Sequence, residues 1–426
     1  MHFHRLDDER AGCFFSGLHR SAFPDCETSH SRIARRPLDQ DSLMTIQRFM
    51  VAALCALGPL TCVAHGGNIN GEATYVSFSV PGALGTYPMG INASMTVTGY
   101  YYVSPTVARG FLREADGTIT TFDVAGGIWT QPEGINATGN ITGFYELVAG
   151  VPRGFLRYAD GRIVTFDPPP SQKGVPLQAQ PVSINDFDEI AGTYPYSSIL
   201  CSICGPSQPK PAAFTRSREG VFYTIPVPFS DYFPGLASLQ AAAINASGAV
   251  VGFLAGYEPV NSGFVAHPDG YWAEFFVPQT LFCGIGQETI PEGINAGGII
   301  AGWYANCNTE NNIGGFVRSP EGNLTLFQPP GTILTPPLSQ FLLFGESLTA
   351  PHWVSIDQAG DITGSYTDAG GFQHGFVRNP YGTMTSFDPP EGKQTTATSI
   401  SDGGAIAGFY QYNAGGGPPV GFIRVP

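Results

Sequence analysis

Apolar residues along this chain cluster in short runs such as ITGFYE (141–146), RGFLR (153–157) and RIVTFDP (162–168), broken by Gly, Pro, Asn and Asp. Runs of that length between turn formers predict short β-strands joined by tight turns, not helices. The runs recur. Ile-Asn stands at Ile91-Asn92, Ile135-Asn136, Ile184-Asn185, Ile244-Asn245 and Ile294-Asn295, and returns as Ile356-Asp357 and Ile400-Ser401. These seven copies are spaced 44 to 62 residues apart. Each predicts two hairpins, with strands a to d. Strand a carries the Ile-Asn, strand b follows it, strand c contains Gly-Phe-x-Arg or its equivalent, and strand d ends near Phe-Asp.

The turns have a physical signature. Asn or Asp opening a type I turn bonds its own backbone, and a residue three places later adopts the left-handed conformation to form a bulge. Gly139, Gly248, Gly298, Gly360 and Gly404 take that place in the a–b turns; Asp188 substitutes tolerably, and nothing in the sequence explains Met95. The recurring Asn is therefore scaffold, which also removes several N-x-S/T matches from consideration as glycosylation sites. For the c–d hairpins a symmetric two-residue turn predicts facing pairs: Phe111–Phe122, Phe155–Phe166, Phe214–Ile225, Phe264–Phe275, Phe316–Phe327 and Phe376–Phe387.

The last copy ends at strand c, GFIRVP (421–426), while an orphan strand d, ATYVSFSVPG (73–82), precedes the first. Joining them would place Phe78 opposite Phe422 and leave no open sheet edge. The expected fold is all-β: a single seven-bladed β-propeller over 73–426, built of four-stranded antiparallel blades and closed by the N-terminal strand at about 73–82.

Composition narrows the function. The formal charge is −14 and the only lysines are Lys173, Lys210 and Lys393. A chain without clustered Lys and Arg is a poor nucleic-acid binder and lacks a polybasic patch for anionic membranes. The one strongly apolar stretch, Phe49 to Val63, is too short for a comfortable membrane span. Behind MTIQR (44–48) and ahead of Cys62-Val63-Ala64 it reads as a signal peptide over 44–64. Met44 is then the expected start, residues 1–43 a start-site artefact or disordered segment, and the mature chain extracellular or periplasmic with no membrane span. An uncleaved anchor is the alternative. Four cysteines would survive cleavage: Cys201, Cys204, Cys283 and Cys307. An even number in an exported chain points to disulfides. Cys201–Cys204 and Cys283–Cys307 are the favoured pairs of the three possible pairings. A redox role for the C-x-x-C lacks the surrounding βαβ pattern.

The long connections 195–211, 226–241, 278–291 and 328–353 belong to b–c loops and d–a crossings on one face, where binding residues concentrate. Three groups could carry chemistry. Tyr101, Tyr145, Tyr194, Tyr304, Tyr366 and Tyr410 recur two residues after the strand b Gly, and are read as packing between blades rather than as a sugar-stacking ring. Arg113, Arg157, Arg216, Arg318, Arg378 and Arg424 recur two residues after the strand c Phe, and are read as structural. The third group does not repeat: Trp129, Tyr232, Phe233, His352 and Trp353 in the crossings and His374 in a b–c loop. These six are the candidate ligand-binding residues. Within 73–426 the only histidines are His267, His352 and His374, too few for a multi-histidine metal site. No phosphate loop, G-x-S-x-G or H-E-x-x-H motif occurs. No cofactor is implied.

The I-N-x-x-G-x-I-x-G run followed by a G-F or A-F strand resembles the HAF-type extracellular repeat family over about residues 73–426. The closest match to its His-Ala-Phe triplet is His374-Gly375-Phe376; the chain departs by preferring G-F-x-R to an aromatic ending. The resemblance implies an exported bacterial protein and brings no catalytic residues. The leading expectation is a monomeric, non-catalytic exported binding module, for a cell-surface or environmental glycan on the long-loop face. The alternative is a polysaccharide lyase or hydrolase with its site at the channel mouth, and the third is a purely structural envelope protein.

Overall fold

The computed structural model describes residues 73–168, 178–196, 210–226, 238–255, 260–278, 287–305, 313–331, 354–412 and 417–426. All eight cysteines, the segments 1–43 and 44–64, and Tyr232, Phe233, His352 and Trp353 lie outside the described residues. So do both expected disulfide pairs.

Among the described residues there are twenty-eight strands and no helix. The recurring element is an antiparallel meander, in one copy Trp129–Ile135, Ile141–Glu146, Pro152–Arg157 and Ile163–Phe166 as strands a to d. Short parallel pairings between strand c of one meander and strand a of the next, such as Ala108 with Trp129 and Gln373 with Gln394, join meanders into larger sheets. The first strand, Thr74–Phe78, pairs antiparallel with the last, Val420–Val425. Strand a of the first full meander, Thr86–Ile91, also meets the C-terminal one. The Ile91 N–H donates to Ser399 Oγ at 3.4 Å, and Thr398 Oγ1 donates to the Pro88 carbonyl at 3.0 Å.

The a–b turns follow the sequence reasoning. Gly139, Gly248, Gly298, Gly360 and Gly404 all have φ between 76° and 88°. Met95 and Asp188 hold the same left-handed place at 62° and 63°. Met95 compensates by packing its side chain against the cluster containing Ile91 and Val97. The turn-opening Asn does more than cap its own turn. Asn92 Oδ1 accepts the N–H groups of Ser94 and Thr96, and Asn92 Nδ2 donates to the carbonyl of Asn136 in the next meander. Asn136, Asn185, Asn245 and Asn295 repeat the step onto the carbonyls of Asn185, Asn245, Asn295 and Asp357, at 3.0–3.2 Å. Asp357 cannot continue this relay, having no donor. Its Oδ1 accepts from Asp361 N–H, and its buried Oδ2 has no hydrogen-bond partner among the described residues.

The c–d register corrects an expectation. Phe111 lies opposite Thr121, not Phe122; Phe155, Phe214, Phe264, Phe316 and Phe376 are likewise one residue out of the expected register. Phe422 faces Ser77, and Phe78 faces Gly421. The cause is the turn. Glu114 N–H bonds the Thr118 carbonyl and Gly117 N–H bonds the Glu114 carbonyl, so the loop has three residues with Gly117 at φ 94°. That is a type I turn with a bulge, which moves the axis of pairing by half a residue. Each strand d Phe therefore lies over the strand c Gly. A Cβ on Gly154 would sit 2.2 Å from the Phe166 ring, which is why Gly precedes Phe in this strand.

The aromatic partnership is between meanders. Phe78 meets Phe111, Phe122 meets Phe155, Phe275 meets Phe316, Phe327 meets Phe376 and Phe387 meets Phe422, with centroids 6.0–6.2 Å apart and edge-on geometry. Burying each such Phe contributes about 1.5–3 kcal/mol. The recurring Arg caps the same contact. The guanidinium carbons of Arg113, Arg157, Arg216, Arg318, Arg378 and Arg424 lie 4.6–5.1 Å from the rings of Phe78, Phe122, Phe166, Phe275, Phe327 and Phe387. The recurring tyrosines are scaffold as well: Tyr145, Tyr194, Tyr304 and Tyr410 are at most 5% exposed, and the Tyr410 hydroxyl donates to Ser77 Oγ.

Candidate functional site

Antiparallel order puts the a–b and c–d turns at one end of each meander and the b–c and d–a connections at the other. The N-terminal part of strand a and the C-terminal part of strand b therefore share the loop end. In Trp129–Ile135 the buried residues Thr130 and Pro132 alternate with half-buried Trp129, Gln131 and Glu133. The half-buried set is linked: Trp129 Nε1–H donates to Gln131 Oε1 at 2.9 Å, and Gln131 Nε2–H donates to Glu133 Oε1 at 2.7 Å.

Tyr100 and Tyr102 project from strand b of the preceding meander, Val97–Ser104, and meet Trp129 at centroid distances of 6.3 and 5.4 Å. Tyr87 stacks on Tyr100 at 4.8 Å with planes 5° apart, and touches Phe409 edge-on at 5.1 Å. The cluster is half-buried and fringed by exposed Leu84, Val103 and Ile128. It offers ring faces and edges beside a short row of hydrogen-bonding groups.

Its electrostatics are those of a partly desolvated acidic site. Burial pushes the Glu133 carboxyl up to about 8, only partly opposed by the Gln131 hydrogen bond. Burial raises the Tyr100 phenol strongly, with Tyr102, Tyr87 and Glu133 adding to it; Tyr87 and Tyr102 are also raised by burial. At neutral pH Glu133 is mostly a neutral acid. A homologous position in strand Gln287–Ile294 carries Glu292, also raised to about 8 by burial, which accepts from Trp303 Nε1–H at 3.1 Å and Val354 N–H at 2.6 Å. On the same strand Glu288 is raised to about 7 by burial, and its Oε2 has no partner among the described residues.

His374 lies elsewhere and has a different role. Its Nδ1 is 2.7 Å from Asp388 Oδ2 and its Nε2 3.2 Å from Asp368 Oδ2, and Asp388 also accepts from Thr395 Oγ1. Burial alone would lower the imidazole pKa, but the bonds and charges of Asp388 and Asp368 outweigh it and raise it. Arg153 with Asp167 and Arg109 with Asp123 occupy the same two strand positions in other meanders. His374 is thus a titratable version of a recurring cation–aspartate brace between strands c and d.

Of the sequence candidates, the structure puts Trp129 in the aromatic cluster and His374 in this brace. The two share no hydrogen bond or ring contact. Sequence reasoning missed Tyr87, Tyr100, Tyr102, Phe409, Gln131 and Glu133. A signal existed for Glu133: two places before the repeated Ile the chain reads Met89, Glu133, Val182, Ala242, Glu292, Val354 and Thr398, so only two of the seven copies carry an acid there.

No family model and no curated protein matches the sequence. Among solved structures, one from a study of two prolyl endopeptidases and the role of inter-domain dynamics is similar with a TM-score of 0.50 at 11% identity, covering 81% of this chain and 51% of that one. Puromycin hydrolase is similar with a TM-score of 0.49 at 14% identity, over 80% and 53% of the two chains. A fucose-specific lectin from Aleuria aurantia has a TM-score of 0.37 at 11% identity, over 74% and 94%. The chain spans about half the length of the first two. At such identity the first likeness bears on fold alone, and the fold is all-β and propeller-like.

Proposed function

We propose that this chain is an exported seven-bladed β-propeller, closed by its N-terminal strand, that binds a glycan without catalysis through the aromatic cluster around Trp129. The closed ring is supported by the pairing of Thr74–Phe78 with Val420–Val425 and by inter-meander Phe contacts that begin at Phe78–Phe111 and end at Phe387–Phe422. In such a ring the Trp129–Gln131–Glu133 row would line the central channel near its loop-face mouth.

The binding reading rests on one observation: half-buried Tyr100 and Tyr102 pack on Trp129 at the loop end of adjoining strands, and from Trp129 a hydrogen-bonded row runs along its strand through Gln131 to Glu133. Sugars present C–H faces that stack on aromatic rings and hydroxyls that need donors and acceptors, and this arrangement supplies both. A glycan array probed with the purified protein should give hits that Trp129→Ala weakens at least tenfold. No hit across neutral, acidic and amino glycans would overturn the reading.

A polysaccharide-acting enzyme is the second reading, and the Tyr366–His374 pair, with rings 5.4 Å apart, is the feature it would use. Against it, both imidazole nitrogens are held by carboxylates and the Tyr366 hydroxyl is bonded to Ser386 Oγ at 2.6 Å. A histidine so engaged has no lone pair free for a substrate proton.

A further inference from the structure

We propose that Glu133 makes the aromatic site selective for a saccharide carrying a free ammonium group, an amino sugar rather than its N-acetylated or neutral counterpart. This rests on the glycan-binding reading and adds the chemical class of the ligand.

The first support is a missing counter-charge. Glu133 accepts one described hydrogen bond, from Gln131, and its second oxygen has no partner among the described residues. No cation among the described residues is bonded to it. Eight described arginines are engaged elsewhere. Arg113, Arg157, Arg216, Arg318, Arg378 and Arg424 cap phenylalanine rings, while Arg109 and Arg153 pair with Asp123 and Asp167.

The second support is the nature of the walls. Tyr100 and Tyr102 converge on Trp129, Tyr100 feels the charge of Glu133, and Gln131 bridges Trp129 to Glu133; aromatic faces attract cations, most strongly when both are removed from water. An ammonium group has three donors, one more than enough to engage the free Glu133 oxygen and Gln131 while a C–H bond of the sugar rests on Trp129. The third support is long-range. A net charge of −14 draws cationic ligands toward the protein and repels anionic ones.

The chemistry couples binding to a proton. Below about pH 8 the free site holds Glu133 mostly as an acid. An arriving ammonium favours the carboxylate, so the Glu133 proton passes to solvent as the ion pair forms. The titratable groups that face Glu133 are Tyr100 and, through it, Tyr87 and Tyr102; burial raises all three, so they stay neutral and do not take up that proton.

The test is calorimetry of the full-length purified protein at pH 7 with a glucosamine oligomer and the matching N-acetylglucosamine oligomer. Each titration is repeated in buffers of different ionisation enthalpy. The amine oligomer should bind at least tenfold tighter, with net proton release that Glu133→Gln abolishes along with the preference. That variant keeps the Gln131 acceptor and should melt like the parent. Equal affinity for the two oligomers, or a preference that survives Glu133→Gln, overturns the ammonium inference and leaves the glycan reading standing. Absence of binding by both oligomers overturns the ammonium inference, while the array of neutral, acidic and amino glycans decides the glycan reading separately.

Discussion

Replacing Asp357 by Asn should stabilise the protein, and by more at high pH than at low. Asp357 occupies a place where the relay of turn-opening side chains loses its amide donor, and the residue is 1% exposed. Burial pushes its carboxyl from the ordinary 3.8 to about 6, opposed by the Asp361 N–H and reinforced by the charges of Asp361 and Asp402. A carboxyl raised in the folded state binds more protons there than in the unfolded chain, so stability falls as pH climbs from about 4 to 6 and stays low above it. A shift of about two units corresponds to a penalty of about 3 kcal/mol at pH 8, and to well under 1 kcal/mol at pH 4. Asn removes the penalty, and its Nδ2–H would meet the carbonyl of residue 401 as Asn295 meets that of Asp357, adding about 1 kcal/mol. Guanidinium melts at pH 4 and pH 8 measure both effects. The gain from Asp357→Asn should be about 2 kcal/mol larger at pH 8. An equal gain at the two pH values, or a loss at pH 8, would refute the reasoning.

Other sites give independent expectations. Glu391 is exposed at φ 70°, where the corresponding crossings have Gly82 and Gly126; Glu391→Gly should raise stability by about 1 kcal/mol in denaturant melts. The His374 brace holds best below the ordinary histidine range and is lost as pH rises through its raised folded pKa. His374→Gln should therefore lower the melting temperature at pH 5.5 more than at pH 9, with Arg153→Gln as the pH-independent control. A Cβ on Gly143 would lie 2.1 Å from the Gln131 carbonyl oxygen, so Gly143→Ala should cost more than about 3 kcal/mol or prevent folding, read by soluble yield and circular dichroism. Arg157→Met keeps the aliphatic stem over Phe122 and removes the cation; chemical melts should show a loss of about 1–2 kcal/mol.

The strand repeat, the a–b turns and the pairing of Thr74–Phe78 with Val420–Val425 could be read from Ile-Asn, the left-handed glycines and the orphan strand at 73–82, because those features report on backbone geometry. The c–d register could not. Asp116-Gly117 suits both a two-residue turn and a three-residue turn with a bulge, and only the hydrogen bond from Glu114 to Thr118 separates them. That half-residue difference turned expected pairs within a meander into contacts between meanders. The Arg was recognised as structural, but its ring partner lies about 35 residues earlier in the chain in the case of Arg113 and Phe78, beyond any local pattern. At the site, Trp129 stood out because it is rare. Tyr87, Tyr100 and Glu133 did not, because each sits one or two places from a strongly repeated residue and is singled out only when copies are aligned by strand position.

The pairing of Thr74–Phe78 with Val420–Val425 has a consequence in time. The first described strand to leave the ribosome is partnered by the last, so its hydrogen-bonding groups stay unmatched throughout synthesis. Loops closed over such separation form slowly, and an unpaired strand invites association with other chains meanwhile. A chain cut short before residue 420 would keep one meander missing its c strand and another strand with nowhere to go. Its fate should be aggregation or proteolysis, so the survival of this protein depends on Val420–Val425 reaching Thr74–Phe78.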